Sequence, residues 1–396
     1  MKFWKNFCKF SLCFGFAFVM IFSFGCSPTG DGEGGPNSDP NSNNFNGNTS
    51  YTTPIDIQSG DSRADIVEDY MHAIASIYYE TTATDGKKSQ SFNGSGVAVY
   101  AGGYIATNWH VISEVVYYPN KYNLKVEIWD GEEFEMHDAQ LLWENINFDL
   151  AILKCEYANI PYVEMADRWI DTDDRIRAAE EVWTLGSPYS ESLFGTYSSG
   201  YVSSPLERVS IASDRVYESL IQHSANISNG SSGSGLFDSA GKLIGLNTLG
   251  INSTSAKAAN GLFFATPIFP IINIIGEIST LAEDNDPHTK YSFPAIGVTG
   301  HDSVMAEYYA DLNDFEDKGV YVASVSNPGA CLGKLAAGDF IVGLCDKDAN
   351  EESDSFFKIE KRNDLLYALS KYSSGDEIKI YYKRGSTYNN VIITLG

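Results

Sequence analysis

From residue 73 to residue 265 the chain is a succession of short apolar runs broken by glycine, asparagine, aspartate and serine. All but one of the runs are about four to eight residues long, the length of a strand rather than of a helix. Runs of this kind occupy residues 73–79, 94–100, 104–107, 124–129 and 139–143. They resume at 181–185, 200–203, 220–223, 236–237, 242–247 and 262–265. Ala101-Gly102-Gly103 and Asp238-Ser239-Ala240-Gly241 have the composition of hairpin turns. The rhythm predicts an all-β domain, with a short helix-like pattern ahead of it at 63–71.

One turn stands out for chemistry. Ser228-Asn229-Gly230-Ser231-Ser232-Gly233-Ser234-Gly235-Leu236-Phe237 is a small-residue loop opening into an apolar strand. A nucleophilic serine needs such surroundings, because its backbone must turn tightly, present N–H groups to a carbonyl oxygen and leave the approach clear. By itself the tract reads equally as a flexible linker. Two further stretches change the balance: Thr107-Asn108-Trp109-His110-Val111 and Asn147-Phe148-Asp149-Leu150-Ala151-Ile152-Leu153-Lys154. A serine hydroxyl is a poor nucleophile near neutral pH and needs an imidazole to take its proton. The imidazole in turn needs a carboxylate to fix its tautomer and stabilise its charged form. His110, Asp149 and Ser232 supply the three groups in that order.

On these residues the chain resembles the trypsin-fold serine proteases, and specifically the high-temperature-requirement A (HtrA, or Deg) family. That family reads T-N-x-H-V, then D-L-A-[VIL]-L-K, then G-N-S-G-G-P-L-[FVL]. The first two patterns match throughout. The third departs, with Ser231 for the Asn and Ser234-Gly235 for the Gly-Pro. Its Ser-Gly-Ser form is similar to the staphylococcal glutamyl endopeptidases, which share the double-barrel fold. The resemblance implies a two-barrel trypsin-like (chymotrypsin-fold) domain, with His110 and Asp149 on one barrel, Ser232 on the other and a cleft between them. It implies that Gly230 and Ser232 donate the oxyanion N–H groups, and that Asn226, Asn247, Thr248 and Leu249 line the substrate channel. An uncharged Asn226 speaks against a taste for Lys or Arg and leaves a mid-sized apolar residue before the scissile bond. No cofactor is implied, and a homotrimer is the family's usual assembly.

The two ends carry other signals. Lys2, Lys5 and Lys9 precede an apolar run at 10–24, too short to span a bilayer comfortably, so residues 1–26 read as an export signal. Ser23-Phe24-Gly25-Cys26 resembles a bacterial lipobox with Ser23 in place of the usual Leu, which implies lipidation at Cys26; ordinary cleavage is the alternative. Residues 27–60 are Gly, Asn, Ser, Pro and Asp and read as a flexible tether. A polar, proline-containing stretch at 284–288 then separates a protease domain (61–284) from a smaller α+β domain (285–396).

That second domain resembles an HtrA-type PDZ domain. Gly319-Val320-Tyr321-Val322, Pro328-Gly329 and Gly338-Asp339-Phe340-Ile341 resemble the family's G-V-x-V, P-G-x-x-A and G-D-x-I. Residues 327–337 read as a turn and short helix, 363–372 as the helix flanking a groove, and 377–383 and 391–395 as closing strands. Ala295, Ile296, Gly297 and Val298 match the loop and strand that bind a peptide's C-terminal carboxylate by backbone N–H groups.

Composition narrows the function classes. A net charge of −25 argues against nucleic-acid binding. After Cys26 only Cys155, Cys331 and Cys345 remain, an odd number at unrelated spacings, read as buried thiols with a Cys331–Cys345 bridge as the alternative. His72, His137, His223, His288 and His301 have no metal-ligand spacing, so no metal is expected. His223, ahead of the nucleophile loop, has one further reading, since glutamyl endopeptidases use a histidine to recognise a substrate carboxylate. The chain is therefore expected to be an exported, lipid-anchored endopeptidase of the bacterial envelope, facing the periplasm or exterior. Its expected partners are unfolded polypeptides and C-terminal peptides. The alternatives are an inactive PDZ-containing binding or chaperone-like lipoprotein, and a regulatory protease that cuts one partner once its PDZ domain senses a C-terminus.

Overall fold

A computed structural model describes residues 53–396 apart from 147, 169–174, 189, 212–214, 252–261, 284–294, 303–318 and 361. Side chains at 190–191, 206–211, 215–219, 249–251, 277, 280–283, 299, 301–302 and 363 are also outside the description. Cys26, the expected export signal, residues 27–52, His288 and the expected boundary at 284–288 lie outside the described residues.

Helix α1 (Arg63–Met71) begins where Ser62 and Asp65 cap each other reciprocally, each side chain accepting the other's backbone N–H. Its buried Tyr70 packs against the rings of Trp183 and Phe237 and donates its hydroxyl to the Gly241 carbonyl at 2.8 Å. Strands β1 (Ile74–Thr82), β2 (Lys88–Tyr100), β3 (Tyr104–Thr107), β4 (Asn123–Trp129), β5 (Phe134–Asn145) and β6 (Leu150–Cys155) close into a barrel in the order β1-β2-β3-β6-β5-β4. Strands β7 (Glu181–Gly186), β8 (Thr196–Ile211), β9 (Arg215–His223), β10 (Gly235–Asp238), β11 (Leu243–Ile251) and β12 (Leu262–Pro267) form a second, in the order β10-β11-β12-β9-β8-β7. Closure leaves no unpaired edge, which is how so many short strands become stable together.

Small hydroxyls stitch the barrels. Ser76 Oγ donates to Ser187 Oγ at 2.7 Å, and the Ser187 N–H donates to Ser95 Oγ at 3.1 Å. Ser95 Oγ donates in turn to the Gly230 carbonyl at 2.9 Å, so the first barrel grips the loop ahead of Ser232. These serines bring two backbones together while satisfying polar atoms that neither barrel could satisfy alone.

The third sheet has β13 (Val298–Asp302), β14 (Val320–Val325), β15 (Phe340–Asp346), β17 (Glu377–Arg384) and β18 (Thr387–Thr394) in the order β13-β14-β15-β17-β18, with β16 (Phe357–Lys358) on β15. Its core includes Val322, Leu344, Ile378, Ile380 and Ile393. Buried Asp339 accepts two hydrogen bonds of 2.7 Å from Arg384, a bidentate pair that compensates the buried charge. The fold is thus mainly β, two barrels followed by a small α+β domain, as expected.

The structure differs locally from expectation. Helix α2 (Trp109–Tyr117) follows β3 directly, where the sequence had suggested a loop, and helix α3 (Phe269–Glu283) follows β12 in a stretch with no predicted element. The α3 run buries Ile271, Ile274, Ile275 and Ile278, a 3-4 spacing hidden in an isoleucine-rich stretch that also suits a strand. Residues 327–337 form consecutive turns rather than a helix, with Gly333 at φ 75°, in the left-handed region that interrupts helical propagation. Helix α4 (Arg362–Leu369) packs toward α3: Tyr367 meets Phe269 edge-on at 5.4 Å, Asn273 Nδ2 donates to Ser370 Oγ at 2.8 Å, and Lys371 pairs with Asp167. Cys155, Cys331 and Cys345 are free and buried, and burial pushes the first two thiols up to about 11 and about 12.

Candidate active site

His110 lies in the first turn of α2. The cap residue Asn108 gives no side-chain cap; its Nδ2 donates instead to the Asp149 carbonyl at 3.0 Å. The neighbouring Trp109 is buried and donates its indole N–H to Glu144 at 2.7 Å, which fixes the helix on β5. Asp149 enters β6 with φ 54°, a left-handed conformation that aspartate tolerates better than most residues. Its carboxylate is 1% exposed and accepts from three donors: the His110 N–H at 2.9 Å, His110 Nδ1 at 2.8 Å and the Thr248 hydroxyl at 2.6 Å. A buried carboxylate at Nδ1 holds the ring proton there and leaves Nε2 with its lone pair.

Ser232 sits between Gly230 (φ 88°) and Gly233 (φ 85°). Its carbonyl accepts from the Ser95 N–H at 2.8 Å, so β2 holds the nucleophile loop from one side. On the other side β11 holds it: Gly233 N–H donates to the Asn247 carbonyl, and the Asn247 N–H to the Ser234 carbonyl, each at 2.8 Å. The Ser231 N–H closes a turn onto the Ser228 carbonyl at 3.0 Å, and Ser231 Oγ accepts from the Ser228 N–H at 3.2 Å, so this departure from the family pattern is absorbed locally. Ser232 Oγ donates to the Thr248 carbonyl at 3.3 Å, and no hydrogen bond joins it to His110. The N–H groups of Gly230 and Ser232 have no acceptor among the described residues.

Gly233 is required by space as well as by φ. A Cβ there would collide with the Ser95 carbonyl oxygen and lie 2.5 Å from Thr107 Oγ1. Gly233→Ala should lower stability by more than about 3 kcal/mol, read by urea denaturation, since backbone strain and overpacking act together.

The expected channel residues are placed differently from one another. Asn226 is exposed, with its N–H on Ser198 Oγ at 2.8 Å. Asn247 and Thr248 do not offer their side chains to a channel, which corrects that expectation. Asn247 is fully buried, its Nδ2 donating to Ser234 Oγ at 2.9 Å and to the carbonyls of Ser234 and Gly235 at 3.2 and 3.3 Å. The Thr248 hydroxyl is committed to Asp149. Leu249 pairs with Phe264 through its backbone, and its side chain lies outside the described residues. Ser95, Asn108 and the true partners of Thr248 were missed, because each acts on a residue far away in sequence. Only Asn108, inside the histidine motif, had a signal that could have found it.

His223 has no exposed surface, and burial pushes its pKa down to about 4. A neutral, enclosed ring is not built to meet a substrate carboxylate, so that reading is also corrected. The unfolded chain protonates this ring near 6.5, whereas the folded one resists until about 4. Its stability is therefore full above pH 6.5 and falls as pH drops toward 4, by up to about 3 kcal/mol. Urea unfolding at neutral and acid pH should show that much less acid loss in His223→Gln.

In the smaller domain Ile296 is buried and Gly297 has φ 70°, where a Cβ would lie 2.8 Å from Gly329 Cα. The Ile296 and Gly297 carbonyls accept from the N–H groups of Cys331 and Ser326, and Ala295 exchanges backbone bonds with Gly396. Val298 opens β13, an outer strand of the sheet that α4 packs beside.

Two closed antiparallel barrels, with a histidine–aspartate pair on the first and a glycine-framed serine on the second, define a trypsin-like peptidase fold. The family described as trypsin-like peptidase domain matches residues 94–246. A probable periplasmic serine protease Do/HhoA-like protein of Haemophilus influenzae is 27% identical over 336 residues, 84% of this chain and 64% of that protein. A probable periplasmic serine endoprotease DegP-like protein of Rickettsia conorii is 32% identical over 256 residues, 64% of this chain and 45% of that protein. Among solved structures, the HtrA-type protease AlgW with tripeptide is 26% identical with a TM-score of 0.56, covering 85% of this chain and 97% of that one. Over both barrels the chain is similar to trypsin-like serine proteases of the HtrA/Deg type. It spans less than two thirds of the length of these two curated relatives.

Proposed function

We propose that the chain is a serine endopeptidase acting on unfolded or regulatory proteins of the bacterial envelope. The observation that carries the reading is the Asp149 carboxylate, buried and bonded at once to the ring and backbone of His110 and to Thr248. Nothing in barrel packing calls for a carboxylate there, whereas acyl transfer does. In the reaction Ser232 Oγ turns from the Thr248 carbonyl to His110 Nε2, loses its proton to it and attacks the scissile carbonyl. His110 then gives that proton to the leaving amine, and Asp149 stabilises the imidazolium between the two steps. The N–H groups of Gly230 and Ser232 hold the oxyanion, each worth about 3 kcal/mol in comparable sites.

The smaller domain, taken as residues 285–396 after a protease domain of 61–284, binds C-terminal peptides as a PDZ domain. Left-handed Gly297 turns the Ala295–Val298 backbone ahead of outer strand β13, with α4 alongside, an arrangement suited to strand addition. The AlgW structure that is 26% identical holds a tripeptide, and the named relatives are periplasmic proteases, which supports an exported enzyme acting on peptides. The tether through lipid on Cys26 and the trimer rest on the sequence resemblance alone.

Casein digestion with and without a fluorophosphonate tests the reading, with mass spectrometry locating the adduct on Ser232. A second reading, an inactive peptide-binding protein, is favoured by one observation: the Ser232 hydroxyl points its hydrogen bond at Thr248 rather than at His110. Absence of both digestion and adduct in the folded protein would establish it.

A further inference from the structure

We propose that His223 is a positioning residue for the nucleophile loop and acts through Asn247. The proposal rests on the peptidase reading. His223 lies two residues beyond Ile221 on β9 and so shares its face, the interior of the second barrel, where Ile221 and Ala265 form the core. Asn247, on β11, is the register partner of Ala265. The two polar side chains thus occupy the same apolar interior, and neither has exposed surface.

The Asn247 carboxamide has two ends of almost equal shape and opposite chemistry. Its Nδ2 faces three acceptors, Ser234 Oγ and the carbonyls of Ser234 and Gly235, so it grips the loop immediately after Ser232. A flipped amide would set oxygen against two carbonyl oxygens and release that grip. Those acceptors already disfavour the flip, and a donor facing Oδ1 raises its cost further. His223 is the side chain available for this. Asn247 and the Ala225 backbone both act on the ring as acceptors, partly opposing the effect of burial, and Asn247 is the one whose other end holds the loop. Asn247 Oδ1 and both ring nitrogens are buried with no hydrogen-bond partner among the described residues. Buried polar atoms of this kind are costly to leave unpaired, and pairing them with one another removes the cost on both sides. In the working enzyme the neutral ring donates its single N–H to Asn247 Oδ1, and the carboxamide is thereby locked with Nδ2 on the loop.

The test compares the full chain with His223→Leu, which has similar bulk and no donor, and His223→Gln, which restores an N–H. Melting temperature establishes that each is folded, and His223→Met replaces the leucine variant if that one is not. Turnover of an unstructured peptide and the rate of fluorophosphonate labelling are measured on each. The expected result is a fall of about ten-fold in kcat and in labelling rate for His223→Leu, the loss of one hydrogen bond's worth of organisation, with KM within about two-fold of the parent. His223→Gln should recover most of both rates. Unchanged rates in the leucine variant, equal impairment in both variants, or a change confined to KM would overturn the proposal; the last would make His223 a substrate contact. A parent protein that neither cleaves nor labels would instead sink the peptidase reading.

Discussion

Ser232→Ala should reduce peptide turnover by about 10⁶-fold and abolish fluorophosphonate labelling, with the melting temperature unchanged. On the proposed mechanism the kinetic loss is large because this hydroxyl is the group that forms the covalent bond with substrate. With it gone, His110 and Asp149 have no proton to move. Stability should be spared for a local reason. The hydroxyl's one bond, to the Thr248 carbonyl, is long at 3.3 Å and half-buried, so its loss costs under about 1 kcal/mol. The loop is held instead by backbone groups of Ser95, Gly233 and Asn247, which the substitution leaves alone. Substrate binding should therefore survive, and the variant should still retain an unfolded polypeptide in a pull-down. Turnover within ten-fold of the parent would assign the nucleophile to another residue.

Asp149→Asn should cut kcat by about 10⁴-fold without unfolding the protein. The carboxylate accepts at three points and donates at none. An amide of the same shape replaces one acceptor oxygen with an NH₂. Whichever way it is placed, it sets a donor against the His110 N–H and Nδ1 or against the Thr248 hydroxyl. The ring then favours the tautomer with its proton on Nε2, which cannot accept from Ser232. Steady-state kinetics on one peptide, with melting curves alongside, measures both halves of this expectation. A loss of only a few-fold would mean that the Asp149–His110 pair is structural.

Much of the architecture was legible in the chain. Short apolar runs bounded by glycine, asparagine, aspartate and serine located nearly every barrel strand, because residues buried inside a closed barrel are apolar and its turns are not. Helix α2 was not legible: Val111-Ile112 and Val115-Val116 are β-branched, and they are helical because their positions pack against the first barrel, a tertiary effect that overrides propensity. Helix α3 was missed for a similar reason. At the site, motifs singled out His110, Asp149 and Ser232, of which the structure bonds His110 to Asp149, whereas the side chains of Asn247 and Thr248 turn inward rather than to a channel. Both sit on the strand next to the loop, and sequence position alone does not say which way a side chain turns after the irregularity between Asn247 and Leu249.

The order of reacting groups, the glycines that frame Ser232 and the many-stranded character of the fold follow from the sequence by itself, because each depends on residue type and near neighbours. Burial and long-range contact decided the rest. Ser95 reaches Gly230 across 135 positions, Thr248 reaches Asp149 across 99, and His223 resists protonation until about 4 only because an apolar barrel encloses it. Hydrogen bonds between distant strands, and the loss of water that lowers the His223 pKa rather than by itself making the ring neutral, come into being only when the strands meet.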